Sequence, residues 1–371
     1  MPPPRTLRAR LTVAVSVSLL VLAPTASQAH TTPRPDAFLP LLVGQGHAPA
    51  AALLITGDST THFAHAEAPD SPAREGNAGA DPGSAPRPIH LADHFRAGSI
   101  TKTFIATVVL QLAAEHRLSL SDSVEDHLPG LVRAHGTAID GRTVTLRALL
   151  THTSGIADYT KVTKGTVPVT PHQALRIALT LPPTTPGRFA YSNTNYVLLG
   201  LVIQQVTGHS YATEAERRVI TPLHLTGTSF PGARTSLPDP HGRAYSADGS
   251  DVTDLDPRVA GAAGELVTTL TDLNRFYAAL LGGTLLPPAQ LREMLNTRTA
   301  HGMYGMGLHP VRLPCHTTVW GHGGRISGSY VRTAATVDGR RVLTFRVNTD
   351  TLTDPALEPA LLTAEFCPRT S

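Results

Sequence analysis

The order of apolar and polar residues near the start of the chain predicts a short helix followed by a hairpin of strands. Residues 35–44 have the apolar spacing of a helix, and residues 50–56 form an apolar run rich in β-forming residues. A Gly-Asp pair at 57–58 indicates a turn, so residues 60–66 are expected to return as a second strand. This part of the chain therefore contributes strands to a sheet.

Helical patterns separated by proline and glycine fill the middle of the chain. Residues 99–116 are apolar almost all round, which indicates a central buried helix. Residues 194–206 predict another long helix, which Gly208 is placed to end. Shorter helices are predicted at 146–150, 172–181, 270–281 and 288–295.

The last part of the chain returns to strand patterns. Residues 317–320 and 329–337 predict strands, and an Asp-Gly pair at 338–339 predicts a tight turn into a third strand at 341–348. Residues 355–366 then predict a closing amphipathic helix. Strands at both ends of a helical middle predict an α/β (α+β) fold, with a sheet built from both termini and an inserted helical domain.

We expect one catalytic domain over residues 30–371 and no internal repeat. Its α/β part comes from about residues 30–98 and 262–371, and its helical part from about residues 99–261. Residues 67–88 consist mainly of Pro, Gly, Ala, Asp and Ser, which predicts a surface loop.

The N-terminus has the pattern of a secretory signal peptide. Three arginines within the first ten residues precede an apolar run at 11–23, and small residues lead up to Ala29. A membrane anchor is the alternative, but the run is shorter than the roughly 20 residues that span a bilayer. We therefore expect cleavage after Ala29, export from the cell and no stable membrane insertion.

The charge balance gives little support for nucleic-acid binding. The chain has 31 basic and 28 acidic residues, and the first 29 residues contain three arginines and no acid. The chain that follows Ala29 is therefore formally neutral, and a nucleic-acid partner is not expected.

Two cysteines, Cys315 and Cys367, are present. In an exported protein such a pair most simply forms one disulfide, which would close a loop of 52 residues and fasten the C-terminal segment. Two buried free thiols are the alternative.

The first candidate for chemistry is the segment Gly-Ser-Ile-Thr-Lys. If Ser99 begins the buried helix, Lys102 lies one turn further along the same face. A serine hydroxyl needs a nearby base to become a nucleophile, and burial can keep a lysine neutral enough to serve as that base. A capping serine with a solvated lysine is the alternative, which the apolar neighbours Phe104 and Ile105 disfavour.

Two later segments are weaker candidates when taken alone. Tyr191 and Asn193 precede a predicted helix, where a tyrosine near a cation can move protons and an asparagine can bind an amide. His322 is followed by Gly323 and Gly324 at the end of a predicted strand, where a ligand can approach closely. The alternatives are a packed tyrosine with a capping asparagine, and an ordinary strand-to-turn segment.

Taken together, these segments have the order S-x-x-K, Y-x-N and H-G-G at positions 99, 191 and 322. In this the chain resembles the serine penicillin-recognising family, which includes class C β-lactamases, D-alanyl-D-alanine carboxypeptidases and related esterases. The likeness is strongest to the secreted carboxypeptidases of high-GC Gram-positive bacteria, including the placement of their disulfide. It runs from about Phe38 to Cys367, with matching segments at 95–104, 149–155, 191–196, 304–308 and 320–324.

The resemblance implies a β-lactamase/transpeptidase-like fold, in which terminal helices flank an antiparallel sheet and an all-helical domain is inserted. It implies that a substrate carbonyl acylates Ser99 while Lys102 and Tyr191 handle the proton. The backbone N–H groups of Ser99 and Arg325 would form the oxyanion hole. Water activated through Tyr191 would then release the acyl group.

The remaining implied roles concern binding and orientation. Asn193 would hold the substrate amide, and His322 would keep the site electropositive and orient Tyr191. Segment 151–155 is interpreted as a structural turn after a helix, although it strongly resembles the family.

The chain departs from the carboxypeptidases where their substrate's carboxylate binds. Gly323 and Arg325 stand where the family has threonines, and His309 replaces the carboxylate-binding arginine. Arg325 or Arg312 could supply a replacement cation. The expected function is a D-alanyl-D-alanine carboxypeptidase that acts on peptidoglycan stem peptides and binds β-lactams. The alternative is an esterase or D-amino-acid amidase of the same family.

Other classes fit less well. No G-x-S-x-G motif is present, which disfavours an α/β-hydrolase, and the 18 histidines form no H-E-x-x-H motif. No metal or other cofactor is therefore expected. A catalytically silent penicillin-binding module is a further alternative. The presence of Ser99, Lys102 and Tyr191 argues against it.

Overall fold

Apolar strands from both ends of the chain pair in one antiparallel sheet. The computed structural model describes Met1 and residues 33–68, 88–133 and 139–368. The strands are β1 (Ala50–Thr56), β2 (Thr61–Glu67), β3 (Phe95–Arg96), β4 (Val267–Thr268), β5 (His309–Arg312), β6 (Thr318–Ile326), β7 (Ser329–Ala335) and β8 (Val342–Val347). Six of them form the main sheet in the order β2-β1-β8-β7-β6-β5, while β3 and β4 form a separate pair. The β1–β8 pairing joins the N-terminal hairpin to the C-terminal strands.

The helices occupy both faces of this sheet. They are α1 (Leu39–Gly44), α2 (Thr101–Ala114), α3 (Val124–His127), α4 (Leu146–Leu150), α5 (Thr160–Thr163), α6 (Pro171–Thr180), α7 (Asn193–Thr207), α8 (Tyr211–Ala215), α9 (Leu270–Leu281), α10 (Pro288–Met294) and α11 (Leu357–Phe366). Short 3-10 turns at Pro35–Phe38, Gly98–Ile100, Pro257–Val259 and Gly261–Ala263 and a π-helical turn at Glu216–Ile220 complete the described elements.

Two apolar clusters hold the layers together. On one face, α1 and α11 pack against the sheet, with Leu42 and Leu361 meeting Leu53 and Phe345. On the other face, α9 packs on β1, β7 and β8, and α2 lies in the larger cluster beyond it. Because neighbours surround α2, its apolar residues are buried on all sides, as its sequence predicts. This helix carries the first candidate residues into the centre of the protein.

The structure confirms most of the predicted elements. The bounds of β1, α4 and α9 are as predicted, and α7 ends at Gly208 in the left-handed conformation with φ of 77°. The prediction that the strand ends at residue 320 is wrong, because β6 continues to Ile326 and the H-G-G segment lies inside it. Pairing with all seven residues of β7 supports the glycines in extended form. The short strands β3, β4 and β5 were not predicted, since two to four residues carry too little periodicity.

Two of the predicted segments lie outside the part of the chain that the structure describes. The predicted signal peptide and residues 69–87 of the predicted loop lie outside the described residues. Residues Pro33–Pro368 form one compact unit, within which the domain boundaries stay a prediction. None of the described helices combines the length and the apolar character that crossing a membrane requires. The predicted disulfide between Cys315 and Cys367 is present.

Candidate active site

Two glycines allow β6 to pack closely against the turn that holds Ser99. Gly98 has φ of 51°, and a Cβ atom there would lie 2.7 Å from the backbone nitrogen of Arg325. A Cβ atom on Gly324 would lie 1.9 Å from the carbonyl oxygen of Ala97. Side chains at either position would force the strand away. The glycines therefore bring the N–H group of Arg325 beside the nucleophile turn, where an oxyanion hole is expected.

Lys102 is the second residue of α2, one helical turn after Ser99, and is completely buried. Its Nζ atom bonds Ser99 Oγ at 2.9 Å and two fixed acceptors, Asn193 Oδ1 at 2.8 Å and the carbonyl oxygen of Ala263 at 2.7 Å. Burial lowers the pKa of Lys102 to about 7, although the negative charge of Asp158 opposes this shift. A neutral amine has two N–H donors, which the two fixed acceptors take. Its lone pair is then left facing the Ser99 hydroxyl, ready to accept that proton.

Asn193 begins α7 and orients the lysine. While its Oδ1 accepts from Lys102, its Nδ2 donates to Asp158 Oδ2 at 3.0 Å and to Thr160 Oγ1 at 3.3 Å. Both ends of the amide are thus engaged within the protein. Asn193 also lines the cavity beside Ser99, and substrate binding by it stays a prediction.

The ring of Tyr191 packs against the amine of Lys102. The Nζ atom of Lys102 is 4.9 Å from the centre of the Tyr191 ring. Burial raises the pKa of the Tyr191 phenol, and the opposing effect of a hydrogen bond with Ser99 is smaller. The phenol therefore keeps its proton at neutral pH, so Tyr191 is suited to relay protons rather than to act as a resting phenolate.

His322 is neutral, which contradicts the expectation that it keeps the site electropositive. It is buried on β6, and this burial, together with nearby His309 and Lys102, holds its pKa well below the usual value. Its Nδ1 faces the Gly323 carbonyl oxygen and must donate there, so its Nε2 accepts from the Tyr304 hydroxyl at 2.9 Å. That His322 orients Tyr191 stays a prediction: the centres of the two rings lie 6.4 Å apart, and the hydrogen bond of His322 Nε2 goes to Tyr304.

A cavity of about 420 Å³ opens beside Ser99. Two cations, Arg325 and Lys164, line it together with one acid, Asp350. Arg312 is exposed on β5 and is not among the described residues that line the cavity. Of the two arginines proposed to replace the family's carboxylate-binding arginine, Arg325 therefore lines the cavity and Arg312 does not, among the described residues. That Arg325 binds substrate stays a prediction.

Positions 309 and 323, where the chain differs from the carboxypeptidases, are not among the described residues that line this cavity. Burial lowers the pKa of His309 to about 3, so this side chain is neutral and provides no cation. Gly323 pairs with Arg332 on β7, whose Nη1 lies 3.5 Å from the position a Cβ of Gly323 would take. Arg332 is buried and pairs with Glu358 on α11 at 3.5 Å. This arginine was not predicted from the sequence, although its position as the one charged residue of β7 was a signal for it.

Other contributors were missed because the sequence gives no strong sign of them. Ala263 contributes only a backbone carbonyl group, and Asp158 acts on Lys102 through Asn193. Tyr304 lies in a segment that resembles the family, but its contact with His322 depends on the fold.

Comparisons with known proteins identify the family of the chain. The family model described as beta-lactamase matches residues 32–365. Penicillin-binding protein 4 of Amycolatopsis lactamdurans is 31% identical over 202 residues, which are 52% of this chain and 52% of that protein. The chain spans about half the length of the curated relatives it matches.

Solved structures match over a larger share of the chain. The D-stereospecific amidohydrolase from Streptomyces sp. is 38% identical, with a TM-score of 0.78 over 90% of this chain and 98% of its own. The D-amino acid amidase from Ochrobactrum anthropi SV3 shares the fold at 21% identity, with a TM-score of 0.74 over 89% and 97% of the two chains. From its matched residues and its fold, the chain belongs to the β-lactamase family of serine hydrolases.

Proposed function

We propose that the protein is a serine amidohydrolase that forms an acyl-enzyme at Ser99 and acts on amides or peptides of D-configured amino acids. The observation that carries the proposal is the lysine geometry. In its neutral form, Lys102 donates to Asn193 and to the Ala263 carbonyl group, which leaves its lone pair for the Ser99 hydroxyl. A general base in that position makes the serine a nucleophile.

The chemistry follows from this arrangement. As Ser99 Oγ attacks the substrate carbonyl carbon, its proton passes to Lys102, and the carbonyl electron pair moves onto the oxygen. The N–H groups of Ser99 and Arg325 stabilise that oxygen. When the C–N bond breaks, the leaving nitrogen takes a proton through Tyr191. Water then attacks the acyl carbon, gives its proton to the same relay and regenerates the Ser99 hydroxyl.

The proposed substrate class rests on similarity to a D-stereospecific amidohydrolase and on the changes at the positions where carboxypeptidases bind a carboxylate. The amidohydrolase from Streptomyces sp. is described as D-stereospecific and aligns with nearly all of this chain. Neutral His309 and the missing side chain at Gly323 argue against the carboxylate pocket of a carboxypeptidase. D-alanyl-D-alanine carboxypeptidase activity on peptidoglycan peptides is the second candidate, which the cations Arg325 and Lys164 in the cavity favour. Export, proposed from residues 1–29, would bring the enzyme to such peptides.

Covalent labelling with a fluorescent penicillin tests the nucleophile. We expect label on the wild type and none on Ser99→Ala or Lys102→Met. The matched control is Lys161→Met, since Lys161 is exposed and is not among the described residues of the cavity wall; it should label as the wild type does. Equal labelling of the wild type and Ser99→Ala would refute the assignment.

Product release then separates the substrate classes. D-phenylalanine amide should release ammonia at least tenfold faster than its L enantiomer. Faster release of D-alanine from a diacyl-D-alanyl-D-alanine peptide would favour the carboxypeptidase instead, and turnover confined to short-chain esters would favour an esterase.

A further inference from the structure

His152 follows α4 in a conformation that few side chains adopt. Its φ is 56°, and the N–H groups of His152 and Thr153 bond back to Leu149 at 3.2 Å and Ala148 at 2.8 Å, which closes the helix end. His116 and His224 end other helical segments in the same way, but both are exposed. His152 is completely buried. The turn explains its backbone conformation, but not why its ring is buried.

The ring and backbone of His152 hold the residues on both sides of Tyr191. The His152 carbonyl oxygen accepts from the Ala190 N–H at 2.9 Å, and the ring atom Nδ1 accepts from the Ser192 N–H at 3.3 Å. Between these two bonds, the His152 ring lies 4.2 Å from the Tyr191 ring, centre to centre. One residue therefore fixes the main chain before and after Tyr191 and also contacts its aromatic ring.

The hydrogen bonds determine the tautomer of this ring. Asn195 uses its Oδ1 to accept from Ser154 at 2.6 Å, so its Nδ2 faces His152 Nδ1 at 3.2 Å as a donor. With donors directed at Nδ1, the proton must lie on Nε2, which is buried without a hydrogen-bond partner among the described residues. Burial and the nearby Lys102 charge hold the pKa of His152 well below its usual value. The ring is thus a neutral contact that does not compete with Lys102 for a proton.

We propose that His152 is the positioning residue of Tyr191, holding its phenol at Ser99 in the geometry that proton relay requires. The inference rests on the proposed function, in which Tyr191 relays the proton. It assigns to segment 151–155, interpreted from the sequence as a structural turn, a role in the rate of acyl transfer.

The variant His152→Asn tests this role. Asparagine tolerates a positive φ, and its Oδ1 can replace Nδ1 as acceptor for Ser192, but it has no ring to contact Tyr191. We expect the rate constant for penicillin acylation to fall by about 10- to 100-fold, as misplaced catalytic groups commonly cause. The pH midpoint of acylation should not change, because Lys102 sets it. The matched control is His224→Asn, an exposed position of the same conformation, which should acylate at the wild-type rate.

A double-mutant cycle separates positioning from general structural support. If His152 acts through the Tyr191 hydroxyl, adding His152→Asn to Tyr191→Phe should change the slow residual acylation less than twofold. If His152→Asn slowed acylation by the same factor in the wild type and in Tyr191→Phe, the proposal would be overturned. Wild-type protein that never labels would refute the proposed function, whereas fast labelling of His152→Asn would refute the positioning role alone. As a test independent of activity, nitrogen NMR should find the neutral Nε2–H tautomer; an Nδ1–H form would also overturn the inference.

Discussion

At the scale of single residues, the site depends on keeping one amine neutral. Lys102 is buried, where a charge is poorly solvated, and its three hydrogen-bond partners, Ser99, Asn193 and the Ala263 carbonyl group, do not include a carboxylate. The charge of Asp158 opposes the lowering of the lysine's pKa, but its carboxylate accepts a hydrogen bond from Asn193, which in turn bonds Lys102. Direct contact with an acid would raise the pKa of Lys102 and leave it protonated at neutral pH. Placing an amide between the two groups therefore preserves the base.

The pH dependence of acylation follows from this arrangement. Since Lys102 must be deprotonated to accept the Ser99 proton and its pKa is about 7, the rate should rise as the pH passes through about 7 and then level off. Tyr191 has a raised pKa, and His152 and His322 have lowered ones, so none of them should titrate between about pH 6.5 and 9. Stopped-flow labelling across this range checks the prediction. A rate that falls across pH 7 would contradict it.

Helical spacing alone predicted that Ser99 and Lys102 are neighbours. The prediction that Tyr191 and Asn193 join them rested on the resemblance to the family. The sequence could not reveal that a carbonyl group 161 residues later completes the lysine's contacts. Nor could it predict that His322 would be neutral, since that depends on burial among other side chains.

At the scale of elements, histidine repeatedly ends helices and turns. Among the described residues, seven non-glycine positions have φ between 51° and 64°, and all but Lys164 are histidines: His47, His116, His152, His224, His301 and His316. Histidine is enriched in this conformation, though less suited to it than glycine. Six of the 18 histidines thus have a backbone role, which explains their scatter along the sequence better than metal binding does.

Replacing one exposed member of this set should stabilise the protein. In His116→Gly the N–H group of residue 116 keeps its bond to the Ala113 carbonyl oxygen, and Arg117 keeps its bond to Leu112. The strain of a side chain at φ of 56° is removed. We expect the free energy of unfolding to rise by about 0.5–1 kcal/mol, after subtracting the greater freedom of glycine in the unfolded chain. Urea denaturation measures this change. Unaltered or lower stability would show that the histidine is unstrained.

Among the elements, those with a clear apolar period were easier to predict than the glycine-rich strand β6. Periodic patterns of five residues or more gave α4, α9 and β1 with the observed bounds. The extension of β6 through its glycines was missed because pairing with β7, rather than strand propensity, keeps that segment extended.

At the scale of the whole molecule, the disulfide fastens the last helix to the sheet. Cys367 follows α11, and Cys315 lies in the turn between β5 and β6. The bond closes a loop of 52 residues. Chain entropy assigns such a loop about 4 kcal/mol of stabilisation at 25 °C.

The double variant Cys315→Ser/Cys367→Ser should therefore unfold at a lower urea concentration. Wild-type protein in reductant should shift toward the variant's midpoint, whereas the variant should not respond to reductant. At low urea we expect the variant to acylate at the wild-type rate, since neither cysteine lines the cavity among the described residues. Equal midpoints with and without the bond would contradict the prediction.

The pairing of β1 with β8 also determines when the sheet can be completed. Leu53 faces Phe345 across that pair, about 290 residues later in the chain. At 5–20 residues per second, a ribosome needs roughly 15–60 s to synthesise the intervening segment. During that time the apolar strand β1 has only β2 as a neighbour, and its other edge is free to pair with another chain. We therefore expect incomplete chains to need protection from aggregation until the final strand has been synthesised.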